Sequence, residues 1–391
     1  MADALDSLRL MRTQERPEQV FVRGQGSWLW DSDGRAFLDF TQGLAVNCLG
    51  HSPSVLVQAL ARQARELVSA GPCLLNRPVL ALAQRLCLAT GSDQAYFLTS
   101  GAEANEAAIA LARKWGRLHR GGAQRIVSTV NSIHGRTPGT LTACGKPAQH
   151  GLEGFARVPF NDLDAMAAAI DEETVMLEPV QGDAGVIPAT LDYLRGIERL
   201  CRQRGVLLIL DEVQTGIGRC GALLAEELYG VRADIVTLGK GLGAGVPLSA
   251  LLARGNACCF EPGDQLGTHH GNALMTAAGL AVLNTVLEPG FLEQVREQGT
   301  HLRDGLARVA RRYGHGPLRG QGLFWGLPLI GQRAPAVVRA AFGEGLLINA
   351  PQPHCLRFSP ALTVSRANVD EMLRRLERAL ARVANRHEEV A

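Results

Sequence analysis

Several features are scarce in this 391-residue chain, and each scarcity removes a class of protein. The longest aliphatic run near its middle, Val206 to Leu210, falls far short of the roughly 20 residues with which a helix crosses a bilayer. No membrane span is expected. Met1 to Gln19 mixes acids with bases around no apolar segment and ends in no small-residue cleavage pattern. It does not read as a secretory leader, so a cytoplasmic protein is expected. Neither sign of charge dominates. Forty Lys and Arg stand against 38 Asp and Glu, a formal charge of +2, which offers nucleic acid no basic surface. The nine cysteines are odd in number and include no Cys-x-x-Cys pair, which fits reduced thiols and no zinc or other metal site. Nucleotide loops are missing too. No Gly-x4-Gly-Lys-Ser/Thr is present, and Gly241-Leu242-Gly243-Ala244-Gly245 meets Val246 where a dinucleotide loop needs its last glycine. There is no internal repeat and no low-complexity tract.

What is present is ordinary globular composition, 46% hydrophobic and 20% charged, long enough for two or three domains. From Val20 to Phe40 the spacing of Trp28, Trp30, Phe37, Leu38 and Phe40, broken by Gly24, Gly26 and Asp33-Gly34, predicts short antiparallel strands. After Pro53 the chain alternates helices, to about Val68 and from Pro78 to about Leu88, with strands at Gln94–Leu98, Arg125–Thr129, Thr174–Leu177, Val206–Leu210 and Ile235–Leu238. Such alternation predicts an α/β fold on a mainly parallel sheet. Beyond Glu288–Gly290 a long amphipathic helix, Phe291 to Tyr313, leads into Gly-rich strands to Pro328, and a last helix runs from Arg366 to about Ala384. We therefore expect residues 51–288 to form a large domain. Residues 1–50 and 289–391 are expected to form a smaller α+β domain.

Three strand ends carry chemistry. At Thr99-Ser100-Gly101-Ala102 a strand turns into a helix, whose free N–H groups and positive dipole end suit a phosphate. An ordinary Gly turn is the commoner use of such a loop. The apolar run to Leu210 stops at Asp211-Glu212-Val213-Gln214. A buried carboxylate there needs a cation or donor, and a protonated pyridine nitrogen would serve Asp211, with Gln214 reaching a ring hydroxyl. Capping the following turn is the plainer alternative for Asp211. Finally Lys240 follows a buried strand between Gly239 and Gly241. Desolvation would give it a neutral amine able to condense with an aldehyde, and the flanking glycines would admit a planar ring. Together these are the parts that hold an aldehyde cofactor with an electron-accepting ring.

In order along the chain stand Gly24-x-Gly26-Ser27-Trp28-Leu29-Trp30-Asp31, Ser100-Gly101-Ala102-Glu103-Ala104-Asn105-Glu106, His134-Gly135-Arg136-Thr137, Leu177-Glu178-Pro179-Val180-Gln181-Gly182, Asp211-Glu212-Val213-Gln214-Thr215-Gly216, Leu238-Gly239-Lys240-Gly241 and Leu356-Arg357-Phe358. On these motifs the chain closely resembles the class III pyridoxal-phosphate-dependent aminotransferases, and within them the acetylornithine and succinylornithine aminotransferase group. The resemblance implies a fold-type I homodimer with active sites at the subunit interface and pyridoxal 5'-phosphate as cofactor. It implies Lys240 as the residue that binds the cofactor as a Schiff base and moves the proton, and Asp211 as the partner of the pyridine nitrogen. Gln214 would contact the ring oxygen, Gly101 and Ala102 the phosphate, and Ile133 a ring face. Thr268, after Gly267, would reach the phosphate of the neighbouring subunit. Arg136 and Arg357 match carboxylate-binding arginines, a role suited to a guanidinium fork.

Pocket positions also depart from the family pattern. Ile133 stands where an aromatic residue stacks on the ring, Leu75 replaces a common Tyr, and His269 stands for Phe or Tyr. Asp183 replaces a Glu that pairs with the arginine matching Arg357 in one half-reaction and releases it in the other. The implied reaction moves the terminal amino group of N2-acetylornithine or a related N-acylornithine to 2-oxoglutarate. Ornithine, succinylornithine or 4-aminobutyrate as donor, and a non-catalytic divergent paralogue, are the alternatives.

Overall fold

The strands in the middle of the chain are apolar on both faces, which requires a sheet covered on both sides. The computed structural model, which describes residues 9–11, 13–145, 152–171, 174–331 and 333–388, shows that sheet. Three short strands open the chain, β1 (Phe21–Gln25), β2 (Trp28–Asp31) and β3 (Ala36–Asp39), followed by β4 (Gln94–Leu98), β5 (Ile126–Thr129), β6 (Phe155–Val158) and β7 (Thr174–Leu177). A two-stranded pair, β8 (Val180–Gln181) and β9 (Ile187–Pro188), precedes β10 (Leu208–Asp211), β11 (Ile235–Leu238) and β12 (Ser249–Ala253). The central sheet has the order β4-β12-β11-β10-β7-β5-β6. Met176, Ile209 and Ile235 pack on one face beneath the helix Gly101–His119, while Val175, Leu177, Leu208, Leu210 and Val236 point to the other.

Among these strands β12 alone runs against its neighbours, antiparallel to both β11 and β4. The sequence reading missed it, along with β6. Its direction follows from the linker: only residues 239–248 join Leu238 to Ser249, and a parallel return needs a crossover of a dozen residues or more. The other boundaries move little. The expected strand from Val206 starts at Leu208 and includes Asp211, and the long helices are Phe291–Arg312 and Arg366–Glu388.

Two smaller sheets flank the centre. One has β1, β2 and β3 antiparallel, with β15 (Leu346–Leu347) added parallel to β3, so that Leu38 lies beside Leu346. The other comprises β13 (Arg319–Gln321), β14 (Phe324–Pro328), β17 (Cys355–Phe358) and β16 (Asn349–Gln352) in that order. Residues 1–8 and 389–391, inside the expected outer segments, lie outside the described residues. No single described helix is long and apolar enough to cross a membrane.

The parallel strands β4, β5, β7, β10 and β11 all end on one edge of the central sheet, where an α/β fold binds its ligands. The reversed strand reaches that edge with its start, and Ser249 Oγ donates to the Ser100 carbonyl at 2.8 Å. Leu252, fully buried on β12, tests how much the sheet depends on this strand. Leu252→Ala should lower unfolding free energy by about 2–5 kcal/mol, read from the denaturation midpoint. A loss below about 1 kcal/mol would show β12 to be peripheral.

Candidate active site

Lys240 leaves β11 through Gly239 and enters a 3-10 turn, Lys240–Gly243, with φ of +41°. Its side chain lines a cavity of about 260 Å³ at the strand-end edge of the central sheet. The amine makes no hydrogen bond or ion pair with any described residue. Burial pushes it down from the ordinary lysine range to about 8, opposed by the Asp183 carboxylate and reinforced by Arg357. A buried amine with no partner holds its proton weakly, which is the condition for a nucleophile.

The flanking glycines stand at close approaches between chain segments. A Cβ on Gly239 would lie 3.2 Å from Val213 Cγ1 and 3.5 Å from the Gly101 Cα, and one on Gly241 would meet Cys48. They let chain segments approach each other. Gly101 is tighter than either, since its Cβ would sit 2.7 Å from Val213 Cγ1. It opens the helix Gly101–His119, capped by Ser100 Oγ, which accepts from Glu103 N at 3.3 Å. The first-turn N–H groups at Gly101 and Ala102 face the cavity lining without intrahelical partners.

Asp211 is 3% exposed, and both of its oxygens have partners. Its Oδ2 accepts from Asn105 Nδ2 and pairs with His134 Nδ1, both at 2.7 Å, and its Oδ1 accepts from Val213 N at 3.0 Å. The turn-capping bond and the donor network coexist on the two oxygens. Because a carboxylate only accepts, His134 carries its proton on Nδ1. Its Nε2 is buried and without a partner among the described residues. Asn105, one turn into the helix, is itself oriented by Thr237 Oγ1, which donates to its Oδ1 at 2.6 Å.

Glu178, beyond the end of β7, accepts the Ile133 N–H at 2.9 Å. Burial, with the Asp211 carboxylate nearby, pushes its carboxyl well above the usual carboxylate range. Asp183 follows β8 and forms an ion pair with Arg357 Nη1 at 2.6 Å. Burial works to raise Asp183, but Arg357, Lys240 and a hydrogen bond from Gln214 outweigh it, and the carboxyl titrates below its ordinary range. Arg357 lies on β17, its Nε donating to Asn349 Oδ1 at 3.2 Å. Gly182 makes room for Gln214, whose Oε1 lies 2.1 Å from where its Cβ would be.

Of the residues singled out in the sequence, Lys240, Asp211, Gln214, Gly101, Ala102, Ile133, Asp183 and Arg357 line this one cavity. Arg136 does not: it is exposed, two residues past His134. Gly267, Thr268 and His269 sit in a separate turn, tied back by Tyr96 Oη to His270 Nδ1 at 2.5 Å and by Asn76 Nδ2 to the Gly271 carbonyl at 2.9 Å. Thr268 and His269 are exposed there, as is Leu75 at 80%. Sequence reasoning did not pick out Asn105, His134 and Glu178, although all three fall within quoted motifs. No local pattern marks the partner of a buried acid.

The donor set fits pyridoxal 5'-phosphate: an unpartnered amine for the aldehyde, a buried acid for the ring nitrogen, and a glycine-opened helix end for the phosphate. Comparison with known proteins points the same way. The family model described as Aminotransferase class-III matches residues 11–380. Acetylornithine aminotransferase 2 of Bordetella bronchiseptica is 48% identical over 384 residues, covering 96% of this chain and 97% of that one. Acetylornithine aminotransferase of Ralstonia nicotianae is 46% identical over 378 residues, covering 93% and 95%. Among solved structures, N-acetylornithine aminotransferase from Stenotrophomonas maltophilia is 35% identical with a TM-score of 0.85, covering 97% of this chain and 98% of that one. Ornithine aminotransferase from Toxoplasma gondii is 27% identical with a TM-score of 0.92, covering 98% and 95%. Backbone shape therefore does not separate the two donors.

The low proton affinity of Lys240 has a measurable consequence. With a value near 8, about a tenth of the amines are neutral at pH 7 and about nine-tenths at pH 9. Capture of pyridoxal phosphate by the apoprotein should quicken about tenfold per pH unit below 8 and level off above it, followed by stopped-flow absorbance. A rate still climbing tenfold from pH 9 to 10 would place Lys240 among ordinary lysines.

Proposed function

The chain belongs to the class-III aminotransferases, and we propose that it is a cytoplasmic homodimer transferring the terminal amino group of N2-acetylornithine, or a related N-acylornithine, to 2-oxoglutarate. The products are the semialdehyde and glutamate, in arginine biosynthesis. The observation that carries this reading is the half-buried, unpartnered Lys240 amine lining one cavity with Asp211 and the start of the helix Gly101–His119, in a chain 48% identical to an acetylornithine aminotransferase.

Bound pyridoxal 5'-phosphate supplies an aldehyde carbon and a ring that accepts an electron pair. In our assignment Lys240 Nζ would hold the cofactor's aldehyde carbon and, with its low proton affinity, would serve as the base and acid of the reaction. Asp211, held by Asn105 and His134, would keep the ring nitrogen protonated. Gln214 would contact the ring oxygen, Gly101 and Ala102 would hold the phosphate, and Ile133 would cover a ring face. Arg357 and Arg136 receive substrate carboxylates. Asp183 neutralises Arg357 while the donor occupies the site and yields it to 2-oxoglutarate.

The dimer has its own support. Gly267 and Thr268 lie away from their own chain's cavity, so we assign them to the phosphate of a second copy. The groove beside them exposes Leu74 at 64%, Leu75 at 80% and Leu266 at 71%, apolar surface that a partner subunit would cover.

Absorbance tests the chemistry. The holoenzyme should show a visible band that collapses with N-acetylornithine and returns with 2-oxoglutarate, and Lys240→Ala should show neither change. A band unmoved by N-acetylornithine but discharged by ornithine or 4-aminobutyrate would overturn the donor assignment. Arg357→Ala should cut kcat/KM for 2-oxoglutarate about 10–150-fold, the loss of a charge-assisted contact. Unchanged kinetics in that variant would remove Arg357 from the acceptor site.

A further inference from the structure

The mouth of the Lys240 cavity is shaped by a segment to which the roles above assign nothing. Gln42, Gly43, Leu44 and Ala45 have φ of +47°, +62°, +66° and +69°. Four successive residues thus turn left-handed, and three of them carry side chains that disfavour that region. Such strain persists only where the surroundings over-determine it. Here Asp39, itself buried, supplies the determination. Its Oδ1 accepts from Thr41 N and Thr41 Oγ1, both at 2.7 Å, and from Gln42 N at 2.9 Å, while its Oδ2 pairs with His51 Nε2 at 2.8 Å. The buried Gln42 side chain donates to the Asp39 carbonyl at 3.0 Å. On the far side Cys48 Sγ donates to the Gly241 carbonyl at 3.0 Å, one residue beyond Lys240. The outcome is an apolar side chain in an unusual place: Leu44, 54% exposed, lines the cavity with Lys240, Ile133 and Arg357.

The charges around it give this placement a meaning. Three carboxylates line the cavity: Asp183 is paired with Arg357, Asp211 is held by His134 and Asn105, and Glu178 accepts the Ile133 N–H through one oxygen. An amino donor bearing a free α-ammonium at the cavity mouth would gain no counter-charge from the side chain that stands there. It would instead meet Leu44 and Ile133, which solvate no ion. An acylated α-nitrogen is neutral, and its acyl end offers apolar surface that Leu44 can cover.

We propose that Leu44 determines the choice of amino donor: the left-handed turn fixes its isobutyl group at the cavity mouth, where it packs on the acyl group of an N-acylated diamino acid and disfavours the free α-ammonium form. The proposal rests on the donor reading given under Proposed function and names a residue for it. Asn tolerates the left-handed region better than Leu, so Leu44→Asn keeps the turn while removing the apolar wall. In the holoenzyme, kcat/KM for N-acetylornithine should fall about tenfold or more through KM, with ornithine unchanged or improved. The KM for 2-oxoglutarate, which has no acyl group, should stay within roughly twofold, and the visible spectrum should not move. An unmoved ratio between the two donors, or an equal fall for both, overturns the assignment of Leu44. If the unsubstituted enzyme prefers ornithine, the donor reading fails as well; if it prefers N-acetylornithine and the variant does too, only Leu44 is wrongly assigned.

Discussion

A carboxylate buried at the end of a sheet strand persists only if donors surround it, and Asp211 gathers its donors from distant parts of the chain. Asn105 comes from the helix that follows β4, His134 from the loop after β5, and the Val213 N–H from the turn after β10 itself. Thr237 on β11 holds Asn105 in place. Each contributor must arrive at one edge of the sheet, so the strand order and the helix position are tied to this single charge. The Lys240 amine, one strand over, sits in the same desolvated space and gives up its proton more readily for it.

The parts of the site that were legible in the sequence share one signature, an apolar run ending abruptly in a polar residue. Asp211 after Leu210, Lys240 after Leu238 and Gly101 after Leu98 all show it, because a parallel strand must be apolar until it leaves the sheet. The same rule located β7, β10 and β11 closely. It failed at β12, whose direction depends on linker length. Second partners were also hidden. His134 and Asn105 act on Asp211 through space, and nothing near them in sequence announces it. The left-handed run at Gln42–Ala45 has no sequence signature either, since only Gly43 is a residue that favours such a backbone. Arg136 and Thr268 were singled out by likeness alone, and in the isolated chain both point to solvent.

Asp183 shows how a shortened side chain is accommodated. One methylene shorter than the family's glutamate, it still reaches Arg357 at 2.6 Å. Gln352 Nε2, on β16, donates to the Asp183 carbonyl at 2.7 Å, which ties the loop to the sheet that carries Arg357. The ion pair is half-exposed on the Asp183 side, so it is a contact that an incoming carboxylate can displace without uncovering a fully buried charge.

The pairing of β3 with β15 has a consequence for the order in which the protein is made. Leu38 leaves the ribosome early, and its neighbour Leu346 follows only near the end of synthesis. Until then β3 is an open sheet edge, and the turn after it, which carries Leu44, lacks the support that its strand gains from β15. Contacts so far apart along the chain form slowly, and an unpaired edge is a site for pairing with other chains. Between the emergence of β12 and that of β15 the nascent protein therefore holds every strand of its central sheet while its active-site rim is unfinished, the interval in which a chaperone has most to protect.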